Sequence, residues 1–478
     1  MDKIRNEIDL IDKQIMDLLN KRFQLTNIIG LYKNENNLPI LNQEREEEIL
    51  RKADIYPNSN AIQDIYRFIF KESRFYQTQY GLIGKKIPYS LSPLIYQEFG
   101  LNTYQIIETD DFNKTMSQGH FKGVNVTIPY KSEAYKYCQE LDESAIKTKV
   151  VNTIVNNKGY NTDYLALKAI FNKYHLDFTN SKVVIIGNGA TSRSVKEAIN
   201  VDPIFLVRTK RSDNEYLISD YEKFSDCDYL FNTTPYGTYP DLKNNPLFPL
   251  DKFKNLKLVF DVVYNPLNSP LILEAKRHNL NTMNGLELLI TQAYYSYQLF
   301  FHEDVNLNEV IQKMTKNLYN LVLIGPSYSG KSTLARKLRT IFNKKLVDID
   351  ENLKAENHDL ETILKTQPES IFREYEKQEV LKYANSFNNI IATGGGVVLS
   401  EEAMAALKRN SIIIFLNPSL DTLIKRIDNT RPLIKNANDL ISLYQKRLPL
   451  YQKYHDLEIQ DESQIVERIN EYFNNQWS

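Results

Sequence analysis

The stretch that constrains the fold most is Gly325–Thr333, whose sequence GPSYSGKST fits the pattern G-x-x-x-x-G-K-[ST]. The apolar residues before it predict a short buried parallel strand, and those after it predict the start of a helix. Backbone N–H groups of such a loop turn inward around a phosphate, and the helix N-terminus adds positive charge. The motif predicts a nucleoside triphosphate site, with Lys331 on the β- and γ-phosphates and Ser332 on Mg²⁺. The residues expected to contact the nucleotide are Gly325, Ser329, Gly330, Lys331, Ser332 and Thr333.

Length and composition narrow the class of protein. At 478 residues, the chain is too long for one hydrophobic core and predicts about three domains. The 59 basic and 60 acidic side chains nearly cancel, so nothing favours nucleic acid or an anionic membrane as a partner. No apolar run is long enough to span a membrane, and the first residues are charged, so we expect a cytoplasmic protein. Cys138 and Cys227 form no CxxC pair and predict neither a disulfide framework nor a zinc site.

Residues 1–79 carry a helical pattern with cations inside it. Apolar residues recur every three or four positions and form a seam along one long helix: Ile4, Ile8, Ile11, Ile15, Leu18, Leu25 and Ile29. Arg22 interrupts this seam, and Lys33 continues the same face. Two further helices are expected near 42–56 and 60–79. Because polar groups inside a helical seam need partners, the collected cations predict a buried anionic ligand.

This segment resembles the all-helical chorismate mutase family. The positions that match the family's substrate-binding residues are Arg5, Arg22, Lys33, Arg45, Glu46, Ser73 and Gln77. The resemblance implies that fixed cations, Arg22 and Lys33 among them, stabilise the charge that develops on the ether oxygen as chorismate rearranges to prephenate. Asn42 stands where the family often has Asp. From the pattern alone, an inactive coiled-coil arm or a ligand-sensing dimerisation module is the alternative.

The long helix also predicts a homodimer. A helix of about 30 residues would be roughly 45 Å long, and two shorter helices cannot cover its seam. Pairing two copies around a two-fold axis would bury both seams. Arg5 lies about 25 Å along the helix from Arg22, which is too far for both to grip one small dianion. We therefore expect the partner subunit's Arg5 to complete each site.

Residues 80–312 change to short strands separated by helices, which is typical of an α/β fold. Three groups there carry hydroxyl, amide and charged side chains: residues 89–93, residues 123–131, and the stretches 151–153 and 161–163. Each group alone is more typical of ordinary turn chemistry. Together and in this order, the groups resemble shikimate dehydrogenase over essentially the whole stretch.

The resemblance implies two lobes with the active cleft between them, the substrate lobe comprising about 80–178 plus 286–312. Lys131 and Asp163 would form the catalytic pair. The Lys131 ammonium would protonate or hydrogen-bond the alkoxide that the reduction produces. The other side chains expected around the substrate are Ser90, Ser92, Asn125, Thr127, Asn152, Tyr264 and Gln292.

A cofactor-binding Rossmann lobe is predicted at about 180–285. A predicted strand at 182–186 leads into a G-N-G turn and a helix, the setting of a dinucleotide site. After the next strand, residues 207–211 carry three cations where NAD-binding proteins have an acidic residue. Because cations suit a 2′-phosphate, we expect NADP rather than NAD. The expected contacts are Gly187, Asn188, Gly189, Ala190, Thr191, Arg208, Thr209 and Gly285.

The region around the P-loop carries further groups that bear on the phosphate acceptor. A predicted strand at 346–350 ends with two carboxylates facing the same way, Asp348 and Asp350. Arg373 and Glu376 lie three positions apart on one face of a predicted helix. A later strand lacks the acidic residue of a typical Walker B motif, so Asp348 is the candidate carboxylate for Mg²⁺.

Residues 317–478 as a whole resemble shikimate kinase. The resemblance implies that Asp350 binds the attacking hydroxyl and acts as a base. Arg431 would be a lid cation on the transferring phosphate, and Arg426 would contact the adenine. The rest of the acceptor pocket would come from Arg373, Glu376, Gly394, Gly395, Gly396 and Arg447.

The three resemblances imply a multidomain protein: an all-α segment at 1–79, a two-lobed α/β dehydrogenase at 80–312 and an α/β P-loop kinase at 317–478. All three activities fall in aromatic amino acid biosynthesis. The expected substrates are 3-dehydroshikimate, shikimate and chorismate, and the expected cofactors are NADP(H), ATP and Mg²⁺. The broader alternative is a dehydrogenase–kinase fusion that acts on other substrates.

Overall fold

The computed structural model describes residues 1–356, 369–428 and 434–475 of the chain. Within these ranges no helix is long and apolar enough to cross a membrane. The described elements form a helical segment followed by three β-sheets, which confirms the predicted fold class. The chain divides into two compact units, each described by itself: residues 1–180, 188–203 and 287–307, and residues 181–187, 204–286 and 308–478.

The N-terminal segment contains the long helix that the apolar seam predicted. Its helices are α1 (Asp2–Glu35), α2 (Gln43–Lys52) and α3 (Ser59–Gln77). Ile69 and Phe70 of α3 are buried, whereas Ile8, Ile11 and Ile15 of α1 are 50%, 50% and 49% exposed. The two shorter helices therefore leave most of the seam uncovered, as the length of α1 led us to expect.

The first sheet has six strands in the order β2-β1-β3-β5-β6-β4. The strands are β1 (Tyr80–Gly84), β2 (Gln105–Glu108), β3 (Gly123–Val126), β4 (Glu140–Leu141), β5 (Thr153–Val155) and β6 (Lys158–Tyr160). The helices around them are α4 (Ser92–Glu98), α5 (Phe112–Gln118), α6 (Lys131–Tyr137), α7 (Glu143–Thr148) and α8 (Thr162–Lys173). Strand β1 runs parallel to β2 and β3, whereas β5 runs antiparallel to both of its neighbours. Turns after β1 and β3 therefore emerge at one edge of the sheet.

The second sheet is entirely parallel, with the order β12-β11-β10-β7-β8-β9. Its strands are β7 (Val183–Ile186), β8 (Ile204–Val207), β9 (Glu215–Leu217), β10 (Tyr229–Asn232), β11 (Leu258–Asp261) and β12 (Thr282–Met283). The helices of this region are α9 (Ala190–Ile199), α10 (Pro270–Arg277) and α11 (Leu286–Phe301). Residues 287–307 group with the first sheet in one compact unit.

The third sheet is also parallel, in the order β14-β15-β13-β16-β17. Its strands are β13 (Asn320–Ile324), β14 (Lys345–Asp348), β15 (Asn389–Ala392), β16 (Ser411–Leu416) and β17 (Leu457–Ile459). The described helices of this region are α12 (Leu307–Leu318), α13 (Lys331–Ile341), α14 (Ile349–Ala355), α15 (Glu369–Ala384), α16 (Glu401–Lys408), α17 (Leu420–Lys425), α18 (Ala437–Tyr454) and α19 (Ile465–Asn475). The central strand β13 is fully buried and delivers the P-loop at its carboxyl end, where ligands bind in parallel sheets.

Candidate active sites

The first site contains a buried lysine–aspartate pair. Lys131 begins α6, shortly after β3, and Asp163 lies in the first turn of α8. The Lys131 Nζ donates to Asp163 Oδ2 at 2.5 Å, and the two side chains are only 13% and 10% exposed. This charge-assisted bond fixes both side chains, so the geometry presents a preformed ammonium group for proton donation.

Several predicted substrate ligands lie near this pair or at the same sheet edge. The Asn152 Nδ2 donates to Gln292 Oε1 at 3.4 Å, so these two residues are neighbours although 140 positions separate them. Ser90 donates to Ser92 at 3.1 Å in the turn after β1. Thr127 directly follows β3, the strand next to β1. Hydroxyls and amides collected in this way suit a polyhydroxylated substrate.

Asn125 does not fit the substrate-binding role predicted for it. Its Oδ1 accepts hydrogen bonds from the Tyr96 and Tyr104 hydroxyls, both at 2.7 Å. Its Nδ2 donates to Thr153 Oγ1 at 3.0 Å and to Ser296 Oγ at 2.8 Å. These bonds use the full capacity of the amide. Asn125 therefore fixes the strand beside the substrate ligands, a role that sequence reasoning missed because its partners lie 21 to 171 positions away.

The predicted cofactor turn follows β7. Gly187 has a φ of +101°, and a Cβ at this position would lie 2.9 Å from Thr233 Oγ1, so a side chain here would be strained. Gly189 is the N-cap of α9, so Ala190 and Thr191 lie in the first turn, where backbone N–H groups face an anion. Asn188 is exposed between the two glycines.

The cations after β8 differ in how they are held. The Lys210 Nζ lies 5.5 Å from the centre of the Tyr216 ring, and the Arg211 backbone N–H donates to Glu215 Oε2 at 2.5 Å. Arg208 and Thr209 are exposed. Farther along the same parallel sheet, the predicted contacts Tyr264 and Gly285 follow β11 and β12. A Cβ on Gly285 would lie 2.0 Å from the Val262 carbonyl oxygen, so glycine permits this close packing.

The second site is the P-loop. Gly325 and Gly330 have φ values of +145° and +90°, and a Cβ on Gly325 would lie 2.5 Å from the Leu416 carbonyl oxygen. The Lys331 Nζ donates to the carbonyl oxygens of Gly325 and Pro326 at 2.9 and 2.8 Å. The ammonium group is thus held inside the curve of the loop. Ser329 is buried, whereas Ser332 and Thr333 occupy the first turn of α13.

The two carboxylates after β14 do not share a strand, so this part of the sequence prediction is wrong. Strand β14 ends at Asp348, which caps α14 by accepting from the Glu351 backbone N–H at 3.2 Å. Asp350 lies in the first turn of α14 instead. An Asp in the N-cap position starts a helix, and this local preference overrides the strand pattern. Because Asp348 already caps a helix, its availability to Mg²⁺ is reduced.

The structure nevertheless brings the predicted acceptor pocket together around the glycine run. A Cβ on Gly394 would lie 2.1 Å from Glu376 Oε1 and 3.1 Å from Asp350 Oδ1. A Cβ on Gly396 would lie 2.2 Å from the Arg373 Cζ. Glycines at these positions therefore let the backbone approach all three functional side chains. Gly395 accepts a hydrogen bond from the buried Tyr451 hydroxyl at 2.5 Å, a contact that the sequence did not reveal.

Glu369 is a second residue of this pocket that sequence reasoning missed. Its Oε1 accepts from Arg373 Nε at 3.0 Å and Nη2 at 2.6 Å, and it lies 3.7 Å from Arg447 Nη2. Arg373 also binds Glu376 at 2.7 Å. The Glu369 carboxylate thus contacts both Arg373 and Arg447, the arginines expected to bind the substrate carboxylate. Its position four residues before Arg373 on the same helix face was the available signal.

Two polar atoms in this pocket lack partners. Among the residues that the structure describes, neither Glu376 Oε1 nor Arg447 Nε has a hydrogen-bond partner, although both atoms are buried. Burial raises the pKa of Glu376 against the lowering effect of Arg373. Unsatisfied buried groups are costly, so the pocket fits a ligand that supplies both a donor and an acceptor.

Arg426, predicted to contact the adenine, lies beside the P-loop. Its Nη1 donates to the Tyr328 carbonyl oxygen at 3.3 Å, and its Nη2 lies 3.8 Å from Glu462 Oε1. These contacts place Arg426 beside a cavity of 620 Å³ that Asn417, Tyr444 and Glu462 also line. Arg431, predicted as a lid cation, lies outside the described residues.

The third site lies in the helical segment and centres on two cations of α1. The Arg22 Nη1 donates to Ser73 Oγ at 2.5 Å, and its guanidinium lies 5.7 Å from the Phe70 ring centre. The Lys33 Nζ donates to the Ile40 carbonyl oxygen at 2.6 Å. Burial lowers the pKa of both Arg22 and Lys33. The structure therefore joins Arg22 to Ser73 across α1 and α3, as one shared site requires.

Other predicted residues of this site already make ion pairs or hydrogen bonds within the chain, and Glu46 also interacts electrostatically with Arg22 and Lys33. Glu46 pairs with Arg74, and Arg45 pairs with Glu48 at 2.5 Å. Arg5 is mostly exposed and lies 4.0 Å from its neighbour Asp2, in the first turn of α1 and far from Arg22 along the helix. Asn42 caps α2 by accepting from the Arg45 backbone N–H at 3.0 Å.

Gln77 closes this site from the end of α3. It is buried, and its Oε1 has no hydrogen-bond partner within the described ranges. A Cβ on Gly30 would lie 2.6 Å from Gln77 Cγ, so this glycine of α1 allows the close contact. The unsatisfied oxygen is an acceptor for a ligand hydroxyl.

Family models match three parts of the chain. The models are those for chorismate mutase type II at residues 4–78, the shikimate dehydrogenase substrate binding domain at 82–154 and shikimate kinase at 328–476. A shikimate dehydrogenase (NADP(+)) of Methanococcus vannielii is 32% identical over 270 residues, which cover 48% of this chain and 93% of the relative. A shikimate dehydrogenase (NADP(+)) of Halothermothrix orenii is 34% identical over 258 residues, which cover 46% of this chain and 89% of the relative. A chorismate mutase/shikimate 5-dehydrogenase fusion from Clostridium acetobutylicum superposes with a TM-score of 0.46 at 24% identity, covering 50% of this chain and 97% of that one.

Proposed function

Because this chain belongs to the shikimate dehydrogenase family, we propose that it reduces 3-dehydroshikimate to shikimate with NADPH and performs two further reactions. The family models at its two ends support phosphorylation of shikimate with ATP and rearrangement of chorismate to prephenate. We assign these activities to residues 80–312, 317–478 and 1–79. The observation that carries the proposal is the buried 2.5 Å contact between Lys131 and Asp163.

In the dehydrogenase, the chain's own residues hold the substrate and supply a proton. The Lys131 ammonium would donate a proton to the oxygen of the 3-keto group, which becomes the new ring hydroxyl after hydride addition, and Asp163 would keep that ammonium aimed. Hydroxyls and amides bind the carboxylate and ring hydroxyls; we assign this role to Ser90, Ser92, Thr127, Asn152 and Gln292. Asn125 positions the strand, since its amide is already saturated.

The residues present fit the two nucleotides. The strained glycine at 187 leads into a helix N-terminus, and Arg208 is exposed, as a phosphate contact requires. A side chain at Gly325 would meet the Leu416 carbonyl oxygen, Gly330 has a φ of +90°, and the loop holds the Lys331 ammonium inside its curve. When bound, NADPH supplies the hydride, ATP supplies the phosphoryl group and Mg²⁺ neutralises phosphate charge. Ser332 is the proposed Mg²⁺ ligand, and Asp348 is the candidate carboxylate, although its side chain caps α14 in this structure.

In the kinase, we assign the acceptor hydroxyl to Asp350 and the acceptor carboxylate to Arg373 and Arg447. Asp350 lies close to Glu376 along the glycine run, and it would take the proton from the attacking hydroxyl. The substrate carboxylate would replace Glu369 on the two arginines. Bidentate arginine contacts suit a carboxylate in this role.

In the mutase, Arg22 and Lys33 would stabilise the charge on the ether oxygen, and the unsatisfied Gln77 Oε1 would accept from the substrate. One specific observation favours a second candidate, a dimerisation module without mutase activity. Glu46, which the resemblance places among the substrate-binding residues, is engaged by Arg74, so this contact is occupied within the chain.

The exposed seam of α1 supports a homodimer through residues 1–79. Burying isoleucines that are half exposed in one chain is favourable at about 25 cal/mol per Å². In an antiparallel pair, the partner subunit's Arg5 would approach Arg22 and complete the mutase site. We place this dimer in the cytoplasm.

One experiment tests the three activities together. Purified full-length protein is incubated with 3-dehydroshikimate, NADPH and MgATP, and separately with chorismate. We expect shikimate 3-phosphate in the first reaction and prephenate in the second, each identified by mass spectrometry. Shikimate without its phosphate would contradict the kinase assignment, and unchanged chorismate beyond the spontaneous rate would favour the dimerisation module.

A further inference from the structure

A cavity outside all three sites lies between the end of α1 and the first sheet's lobe. It encloses 380 Å³, at the lower end of the roughly 300–1,000 Å³ typical of small-molecule pockets. Leu31 and Asn34 of α1 line one side, and Gln79 and Tyr80 lie at the junction with β1. All lining residues belong to one compact unit. None of them carries a role in the reactions proposed above.

One wall of this cavity is aromatic. Tyr80 and Phe301 have ring centres 4.8 Å apart, and Phe301 and Tyr297 also lie 4.8 Å apart. Both pairs are tilted, so ring edges and faces are presented together. Leu101 is buried in the same lining. Such a wall favours an aromatic ring as its occupant.

The polar groups of the cavity are short of partners. The side chains of Lys122, Glu35 and Gln79 make no hydrogen bond or ion pair with any residue that the structure describes. The Asn34 Oδ1 is buried and has no partner in the described part of the chain. Within the described residues, Glu303 accepts one hydrogen bond, from the Tyr297 hydroxyl at 3.1 Å. As far as the structure describes the chain, the cavity thus offers one ammonium group and several acceptors without protein partners.

The charges in the lining restrict the ligand further. Two carboxylates, Glu35 and Glu303, line the cavity together with one ammonium group, that of Lys122, and all three residues are exposed. An anion without a positive group would meet net repulsion there, whereas a cation without a carboxylate would leave Lys122 unpaired. A zwitterion with an aromatic ring satisfies both the charges and the wall.

We propose that this cavity binds a free α-amino acid with an aromatic side chain. The ring packs on Tyr80 and Phe301, the carboxylate pairs with Lys122, and the ammonium group donates to Glu35 and to Asn34 Oδ1. Asn34 also touches the mutase site, because its Nδ2 donates to the Gln77 carbonyl oxygen at 2.9 Å. The ligand therefore binds next to a residue that closes a different active site.

Isothermal titration calorimetry on the full chain tests the proposal without any enzyme assay, so it stands or falls separately from the proposed function. The probes are L-phenylalanine, L-tyrosine and L-tryptophan, with 3-phenylpropionate and 2-phenylethylamine as analogues that each lack one charge. We expect at least one amino acid to bind, and to bind at least about tenfold more tightly than either analogue. No binding by any of the three, or equal binding of an analogue, would overturn the proposal.

Matched variants locate the binding. Lys122→Ala should weaken binding of the amino acid by about tenfold. Lys114→Ala removes an exposed ammonium from the same lobe and should leave binding unchanged. Circular dichroism confirms that both variants fold. Equal affinities for the two folded variants would show that the amino acid binds elsewhere and would overturn the assignment.

Discussion

The dehydrogenase substrate lobe and the N-terminal helical segment differ in how far a single chain buries and pairs their predicted site residues. In the lobe, Lys131 and Asp163 are buried against each other within a single chain, and the supporting amide of Asn125 is saturated. In the helical segment, Arg22 is only partly covered, Arg5 is mostly exposed, and the isoleucine seam faces outward.

This difference indicates that one chain can complete the dehydrogenase site but not the mutase site. In the lobe, the Lys131–Asp163 pair and the Asn125 amide already have partners, so the catalytic pair is preformed. Among the residues that the structure describes, the helical segment leaves apolar area exposed and the Gln77 Oε1 without a hydrogen-bond partner. A second copy can cover the apolar area, and a ligand can satisfy the oxygen. We therefore expect the dehydrogenase and kinase to be self-contained and the mutase to depend on dimerisation.

The largest effect should come from Lys131→Ala. Removing the proton donor should lower kcat of the dehydrogenase by roughly 10²- to 10⁴-fold, measured as NADPH oxidation with 3-dehydroshikimate. Because the site lies within one lobe, kinase and mutase rates should stay within about twofold of the unmodified protein. Lys136→Ala, on the exposed side of the same helix, is the control. A similar loss of all three activities in a folded Lys131→Ala variant would contradict the claim that the dehydrogenase site is self-contained.

The next largest effect should come from Ile11→Asp, in the exposed seam. A charge there disfavours pairing of two α1 helices, so the protein should become monomeric by light scattering. Mutase activity should fall by about 10²- to 10³-fold, as for the loss of one preorganised charge, while NADPH oxidation persists. Lys13→Asp places the same charge on an exposed position away from the seam. A dimer that survives Ile11→Asp with full mutase activity would contradict the shared site.

Arg208→Ala should have an intermediate effect that is confined to one cofactor. Loss of a charge-assisted contact of about 1.5–3 kcal/mol should raise Kd for NADPH by about ten- to a hundredfold. Kd for NADH should change much less, since NADH lacks the 2′-phosphate. Fluorescence titration of both cofactors measures the contrast. An equal increase in Kd for NADPH and NADH would contradict the assignment of Arg208 to the 2′-phosphate.

The smallest effect should come from Glu369→Gln in the kinase. Its carboxylate occupies Arg373, so removing the charge should lower KM for shikimate by about two- to fivefold, as for a partly exposed ion pair. Glu374→Gln removes an exposed carboxylate from the same helix, where it pairs with Lys377, and serves as the control. A higher KM for Glu369→Gln alone would mean that Glu369 supports the clamp instead of competing for it.

Local patterns predicted the elements well, whereas long-range partners escaped them. The P-loop and the long helix follow from a motif and a period, and both are confirmed. Asp350 was placed on a strand because the alternation of side chains continued past Asp348, whose role as a helix cap ended the strand. The saturation of Asn125 depends on Ser296, 171 positions away, and no spacing in the sequence encodes that contact. Glu46, predicted to bind substrate, forms an ion pair with Arg74 on another helix, and the sequence spacing did not reveal this contact either.

The most direct test of the shared site is complementation between Arg5→Ala and Arg22→Ala. Each variant alone should lose about 10²- to 10³-fold in mutase activity, while both keep full dehydrogenase activity as an internal measure of folding. After equal amounts are mixed and allowed to exchange subunits, half of the dimers are mixed, and one of the two sites in each has both arginines. The account predicts recovery of about a quarter of the unmodified mutase activity. No recovery after demonstrated exchange would contradict it.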